Sequence, residues 1–267
     1  MFKMETVWHE NYKLSLLKST FFDSTLKTLF TTRLGGDTPK PLQSFTLSSK
    51  DYPLFDNYAQ KNLRIICNIL QAPFENLIMP NQQHTDKIAI IKTKEDIRKV
   101  SKGTYDGIVT NLKNHPVCLV FADCVPILMY DERKQVMACV HAGWKGTAKF
   151  IAPKAAKIMQ DEFGCDLNDI KVEIGPAICQ NCFEVSPDVA DQLGMSGKIA
   201  YGNIFLRKNN KINVDLKQLN KHQLNAIGIE NIDVSPICTC CQNTFYYSYR
   251  ADNQITGRHG LIAMIKE

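Results

Sequence analysis

The chain has 267 residues, 44% hydrophobic and 22% charged, with a formal net charge of +5. Such a balance fits a globular protein with a sizeable core and excludes low-complexity and fibrous chains. Lys and Arg are spread along the sequence, which argues against a dedicated nucleic-acid binder and leaves room for an anionic substrate.

Residues 1–12 carry charges and no apolar segment of signal-peptide type, and no apolar run approaches the roughly 20 residues of a membrane span. A cytoplasmic protein with no membrane contact and no obligate protein partner is the expectation. Residues 1–30 alternate and predict edge strands at 12–17 and 26–31. In Thr31-Thr32-Arg33-Leu34-Gly35-Gly36 an arginine precedes two glycines. Glycine permits tight backbone conformations there, so Arg33 could reach an anion or sit at a solvated hairpin tip. Residues 39–53 read as a loop. Tyr58, Ile65, Ile66, Ile69 and Leu70 then predict an amphipathic helix over 56–70, stopped by Pro73.

The middle third is rich in strands, at 87–92, 107–110, 117–121, 127–130 and 136–140. Their near-continuous apolar character predicts cover on both faces. A helix should follow, with Thr147 as N-cap and Phe150, Ile151, Ala155, Ile158, Met159 and Phe163 as its stripe, ending at Gly164. Its free N–H groups beside His141 would favour an anion. Beyond it come a strand at 170–174, a short helix at 187–193, and residues 212–216 leading into a helix that ends near Gly228. Strands are expected at 231–236, 244–249 and 260–265. With no repeat and no linker, strands and helices mix in one α+β domain spanning 1–267.

Ten cysteines in a chain without an export signal point to thiols, metal ligands or a nucleophile rather than disulfides. Cys179-x-x-Cys182 and Cys238-x-x-Cys241, with Cys240 between, resemble two halves of a zinc ribbon. Their separation of about 55 residues is long for a compact ribbon, and buried thiols near the active site are the preferred expectation.

The strongest chemical signal lies elsewhere. Ala122-Asp123-Cys124-Val125-Pro126 and His141-Ala142-Gly143-Trp144-Lys145-Gly146-Thr147 place a cysteine and a histidine where apolar strands give way to turns. Asn81-Gln82-Gln83-His84-Thr85 has the same character. Two imidazoles and a thiolate from His84, Cys124 and His141 make a three-ligand zinc set with a fourth position open. The same residues could instead form a metal-free Cys–His nucleophile, or be incidental core residues. Asp106 and Asp123 could orient a histidine or hold substrate hydroxyls. His9, His115 and His222 read as surface residues, whereas His259, between Arg258 and Gly260, is a candidate for lining a cleft. Phe245-Tyr246-Tyr247-Ser248-Tyr249-Arg250 reads as an aromatic strand, and Arg250 and Arg258 could bind phosphate or carboxylate.

Together, Gln83-His84, Tyr105-Asp106-Gly107, Ala122 to Pro126, His141 to Gly146, Gly175-Pro176-x-Ile178 with Cys182-Phe183-Glu184-Val185, and Tyr247-Ser248-Tyr249-Arg250 to Thr256-Gly257-Arg258 resemble the YfiH or laccase-domain family. The resemblance runs from Thr31 to the last strand, with six motifs in order. It implies a mixed β-sandwich flanked by helices, similar to a bacterial Cys–His toxin deamidase. It also implies zinc on His84, Cys124 and His141, and purine nucleoside phosphorolysis of adenosine or inosine. Methylthioadenosine phosphorolysis and adenosine deamination are associated with the family. Phosphate would be held by some of Arg33, Lys145, Arg250 and Arg258, with Asp106 at the substrate. The family's copper oxidase label fits poorly, since multicopper oxidases need His-x-His pairs and this chain has six histidines and no such pair. The alternative class is a Cys–His hydrolase or amidase acting on a peptide or cell-wall precursor. A non-catalytic member of an assembly with a structural zinc is a third. Lys145 in place of the usual Arg, Cys179-Gln180-Asn181-Cys182, Ala251-Asp252 and His259 depart from the family pattern.

Overall fold

The computed structural model describes residues 3–50, 52–194 and 202–267. In chain order the strands are β1 (Met4–His9), β2 (Leu14–Ser19), β3 (Leu26–Thr31), β4 (Ile88–Ile91), β5 (Gly107–Thr110), β6 (Val117–Phe121), β7 (Val125–Asp131) and β8 (Val136–Ala142). They continue as β9 (Lys171–Ile174), β10 (Glu184–Val185), β11 (Phe205–Lys208), β12 (Lys211–Val214), β13 (Ile232–Val234) and β14 (His259–Ile265). The helices are α1 (Asp56–Leu70), α2 (Lys94–Val100), α3 (Trp144–Ala148), α4 (Ile151–Phe163), α5 (Pro187–Gln192) and α6 (Leu216–Asn225).

Two sheets face each other. A five-stranded antiparallel sheet has the order β1-β2-β3-β14-β6, and a six-stranded mixed sheet the order β13-β9-β7-β8-β5-β4. Between them pack Phe30, Leu119, Phe121 and Leu261 from the first sheet and Leu128, Tyr130, Met137 and Cys139 from the second. Because strand side chains alternate, the residues in between point the other way. Leu16, Cys118 and Ile262 meet Leu63, Ile66 and Leu70 of α1. On the far side Ile127, Met129, Ala138 and Val140 meet Ile151, Ala155 and Met159 of α4 and Leu219 of α6. Cover on both faces is why β7 and β8 are fully buried along their length. The α+β sandwich flanked by helices is as expected. A small sheet of β10, β12 and β11 is an addition that the sequence pattern did not mark.

Several local expectations are corrected. The strand expected at 12–17 is β2, two residues later, and neither it nor β3 is an edge; β1 holds that place. Residues 244–249 form turns instead of a strand, because the Phe245 and Tyr246 amides both fold back onto Gln242 O (2.9 and 3.0 Å). Consecutive Tyr246 and Tyr247 are therefore buried together, which no strand permits on one face. Thr147 is not an N-cap. A short helix α3 begins at Trp144 with Gly143 as its N-cap, and Thr147 is buried inside it, where its Oγ1 accepts from Asn220 Nδ2 at 3.0 Å. Phe150, in the left-handed region (φ 60°), separates α3 from α4. His115 is buried, not a surface residue, with Nδ1 2.7 Å from Lys113 O.

One carboxylate bridges the sheets. Glu173 of β9 is buried, and Ser19 Oγ of β2 donates to its Oε1 at 2.9 Å, while Oε2 has no hydrogen-bond partner among the described residues. Burial raises its pKa from 4.5 to about 8; the Ser19 bond opposes this and Asp233 adds to it. Between those values the native state holds a proton that the unfolded chain has released, so this group makes stability fall as pH rises through the window. Glu173→Gln is expected to flatten that slope and to stabilise the protein at pH 8 by roughly 3 kcal/mol. Urea denaturation of both proteins at pH 5 and pH 8 checks it; an unchanged difference between the two pH values would sink the assignment.

Candidate active site

His84, Cys124 and His141 come together although they lie on three different elements. His141 stands in β8 and pairs across the ladder with Pro126 of β7, so Cys124, just before β7, falls next to it. His84 arrives on the loop before β4 with φ 58°, a left-handed conformation that is uncommon for a side-chain-bearing residue. The ligand atoms of all three lie within 4.8 Å of one another. The two imidazole centroids are 4.9 Å apart, and Phe121 backs His141 at 5.3 Å.

Asp106 fixes this geometry. It is fully buried at the start of β5, and its carboxylate accepts from His141 Nδ1 (2.8 Å), His84 N (3.0 Å), Thr85 N (2.6 Å) and Thr85 Oγ1 (2.7 Å). With Nδ1–H committed to Asp106, His141 Nε2 is the nitrogen left for a metal, as in carboxylate–histidine–metal arrangements. Burial would raise the Asp106 pKa, but the hydrogen bond and charge of His141 and the bonds from Thr85 hold it at about 2. Burial likewise works against charge on Cys124 and His141. Their mutual attraction and the bonds from His84 and Asp106 outweigh it, bringing the thiol down to about 6 and the imidazole up to about 9. The geometry allows the expected role of Asp106 beside a histidine, but not the expected place at the substrate: the carboxylate is fully buried, is taken up by these donors and is not among the cavity's lining residues.

Asp123 does something else. It does not meet a histidine; its carboxylate accepts from Thr239 Oγ1 (2.7 Å), Ser248 Oγ (3.0 Å) and Arg250 N (2.7 Å), tying the 239–250 turns to the Cys124 loop. Gly143 sits against the three-residue cluster. A Cβ built there would lie 3.0 Å from His84 Cδ2 and 3.1 Å from Cys124 Sγ. Gly143→Ala is therefore expected to leave the fold intact but weaken metal binding about 10-fold or more by displacing two ligand side chains. Competition with a chelator would measure it, and an unchanged metal affinity would show that the two side chains give way freely.

The cluster opens onto a cavity of about 770 Å³, a volume suited to a small organic molecule. Lys145, Arg250 and Arg258 line it, as do Trp144, Phe183 and Tyr249. Arg250 donates to Cys182 O (2.8 Å) and Glu184 O (3.1 Å), and Arg258 to Thr256 O (2.8 Å) and Gly257 O (2.9 Å), so backbone carbonyls set both guanidinium groups in place. Arg33 is not among the lining residues. It pairs with Asp252 (3.2 Å), donates to Asn243 O (2.7 Å) and lies over the Tyr247 ring. His259 does not line the cavity either; it is buried behind Phe121 and against Tyr246, and burial with the charges of Arg258 and Arg33 lowers its pKa to about 3. Lys50 is a lining residue that no spacing marks, placed by its bonds to Asn81 Oδ1 (3.0 Å) and Gln82 O (2.9 Å). Gln82 was legible only as a neighbour of His84. Its side-chain amide pairs with both backbone groups of Val120 in β6, which holds the histidine loop against the sheet.

A helix-flanked β-sandwich with a His–Cys–His candidate metal centre at the floor of a cationic cavity defines the class of protein. The chain belongs to the YfiH or laccase-domain family: the family model described as "Multi-copper polyphenol oxidoreductase laccase" matches residues 27–266. It is 32% identical over 240 residues to the purine nucleoside phosphorylase YlmD of Bacillus subtilis, covering 86% of this chain and 84% of that one. To an adenosine deaminase from an unknown prokaryotic organism it is 31% identical over 198 residues, 71% of this chain and 75% of that one. The crystal structure of the hypothetical protein YfiH from Bacillus licheniformis superposes with a TM-score of 0.87 at 29% identity, covering 94% and 96% of the two chains. Among the described residues, no helix is long and apolar enough to cross a membrane.

Proposed function

We propose that this protein is a zinc-containing purine nucleoside phosphorylase that converts adenosine or inosine, and methylthioadenosine, with phosphate into free base and the sugar 1-phosphate. The observation that carries it is the His84–Cys124–His141 cluster at the floor of a cavity whose walls hold Lys145, Arg250, Arg258 and Lys50. Relatives named as purine nucleoside phosphorylases support the substrate class. The donor set fits zinc, since imidazole and thiolate match its borderline softness and three protein ligands leave a position open. It does not fit a multicopper centre, which would need more histidines than the six present. Zinc, when bound, supplies a Lewis acid facing the cavity.

The remaining chemistry belongs to the chain. A phosphate oxygen forms a bond to C1′ as the C1′–N9 bond breaks; the electron pair leaves with the purine, which takes up a proton. Lys145, Arg250, Arg258 and Lys50 hold the phosphate anion and place it for attack. Trp144, Phe183 and Tyr249 offer aromatic faces to the base. Asp106 keeps His141 in one tautomer and one orientation. Arg33, expected at the phosphate, acts through the Asp252 pair in positioning the 243–252 segment.

Adenosine deamination at the same site is a second activity, favoured by the relative named an adenosine deaminase. The usual His-x-Glu with Pro-Cys-x-x-Cys signature of zinc deaminases is not in the sequence, so it would use this different arrangement. Ten free thiols are in keeping with a reducing, cytoplasmic setting. Chromatography of adenosine and inosine incubated with the pure protein, with and without phosphate, tests both activities. Base release that requires phosphate is expected. Inosine formed from adenosine regardless of phosphate would assign deamination, and no turnover of either nucleoside would overturn the proposal.

A further inference from the structure

Outside the cavity floor, four more cysteines converge. Cys179, Cys182, Cys238 and Cys241 place their sulfurs within 4.8 Å of one another. The sequence separation that argued against a ribbon is bridged by topology. β9 and β13 are parallel neighbours, and the pairing continues past their ends: Ser235 N donates to Ile174 O (2.8 Å), Ala177 bridges Cys238, and Thr239 N donates to Ala177 O (3.2 Å). Both Cys-x-x-Cys segments therefore leave the same end of two adjacent parallel strands side by side. Each then closes a tight turn. In the first, Cys182 N and Phe183 N fold back onto Cys179 O (3.1 and 3.0 Å); in the second, Gln242 N folds back onto Cys238 O (3.0 Å). A one-turn geometry of this kind sets residues i and i+3 on one side.

We infer that these four thiolates form a second metal site, a tetrahedral centre for one zinc ion distinct from His84–Cys124–His141. Three observations meet here. The separations Cys182 Sγ–Cys241 Sγ (3.4 Å) and Cys179 Sγ–Cys241 Sγ (3.9 Å) bracket the edge of about 3.8 Å that a tetrahedron with Zn–S bonds near 2.3 Å requires. The backbone N–H groups of Cys179 and Cys241 point at Cys238 Sγ (3.2 and 3.4 Å), donors that suit a metal-bound thiolate. Beside them Lys217 is buried and its Nζ donates to Ser235 O (2.6 Å) and Ile237 O (3.0 Å); burial lowers its pKa, while the charges of Asp215, Cys238 and Cys179 oppose that shift. A buried cation calls for a nearby anion, and a zinc tetrathiolate carries two negative charges. Binding releases the four thiol protons to solvent and needs no oxidant.

The centre would brace one wall of the cavity. Ile178 and Phe183 flank the first knuckle and line the cavity, and Arg250 donates to Cys182 O. From the second knuckle, Thr239 reaches Asp123, the neighbour of Cys124. Of the five thiols expected to be buried near the active site only Cys238 is buried, and Cys241 is exposed; Cys179, Cys182, Cys238 and Cys241 become structural ligands of the cavity wall.

The test is metal counting on full-length protein purified under reducing conditions without chelator. Wild type should carry two zinc ions per chain by native mass spectrometry. Cys182→Ser with Cys241→Ser should carry one. Cys124→Ala, which leaves this cluster whole, should retain one zinc whose X-ray absorption shows only sulfur neighbours. One zinc in wild type, absent from Cys124→Ala, would overturn the site. So would a wild-type mass two hydrogens short per Cys182–Cys241 disulfide, or iron in place of zinc. Hydrogen exchange gives a readout independent of activity: zinc removal from Cys124→Ala should deprotect residues 177–185 and 236–250 and leave β7 and β8 unchanged.

Discussion

Asp106→Asn is expected to lower metal affinity at the His84–Cys124–His141 cluster by roughly 10- to 100-fold and to cost about 3 kcal/mol of stability. The substitution keeps the shape of the side chain and changes only its charge and half of its acceptor capacity. Wild-type Asp106 receives hydrogen bonds from four donors of three residues besides a weaker one from Gln83 N (3.3 Å). An amide NH₂ must face either His141 Nδ1–H or the Thr85 donors, so at least one buried N–H or O–H loses its acceptor. If the amide turns toward His141, the ring is driven to the other tautomer, with its proton on the nitrogen needed for the metal. Metal titration followed by a competing chelator, together with urea denaturation of the metal-free protein, separates the two effects. Loss of stability with unchanged metal affinity would show that Asp106 serves only the fold.

The sequence and the structure agree most closely where one physical signal dominates. Residues 117–121 and 136–140 are apolar without alternation, and both strands lie in the two-layer core, β8 running two residues further to include His141. Helix α1 shows its apolar stripe and ends one residue before Gln71, which adopts φ 58°. The candidate metal trio was legible because Cys and His at strand ends have little structural reason to be there. What stayed hidden depends on partners distant in sequence. Nothing near Arg33 shows that Asp252 will claim it. Nothing near Cys182 shows that a parallel β9–β13 pair will deliver Cys238 and Cys241 to it. The 244–249 segment has strand composition, yet its amides close turns onto Gln242, an outcome set by Tyr247 reaching Leu42 O (2.9 Å) and Ser248 reaching Asp123. Helix α2 is a different case. Its Thr93–Asp96 capping box is a local signal, but seven residues with few apolar positions give too weak a period to mark a helix.

Cys124→Ala is expected to reduce nucleoside turnover by roughly 10³-fold or more, because it removes one of the three proposed metal ligands and leaves no sulfur at the cavity floor. That loss alone does not separate a ligand from a nucleophile; the metal-free protein does. With no metal, His141 and His84 hold the Cys124 thiol at about 6 against the effect of burial, so it is mostly thiolate at pH 7. Burial instead pushes the Cys118 and Cys139 thiols far above their usual range, which keeps them unreactive. Iodoacetamide followed by peptide mapping should therefore label Cys124 rapidly in metal-free protein, and zinc should protect it. The labelling rate should fall as pH drops through 6, where the thiolate takes up its proton. Turnover should follow zinc occupancy and be absent from the metal-free state. Full nucleoside turnover without metal, abolished in step with alkylation of Cys124, would instead overturn the zinc requirement and give the working role to the thiolate, since the same ion pair that makes a good ligand set also makes a competent nucleophile and base.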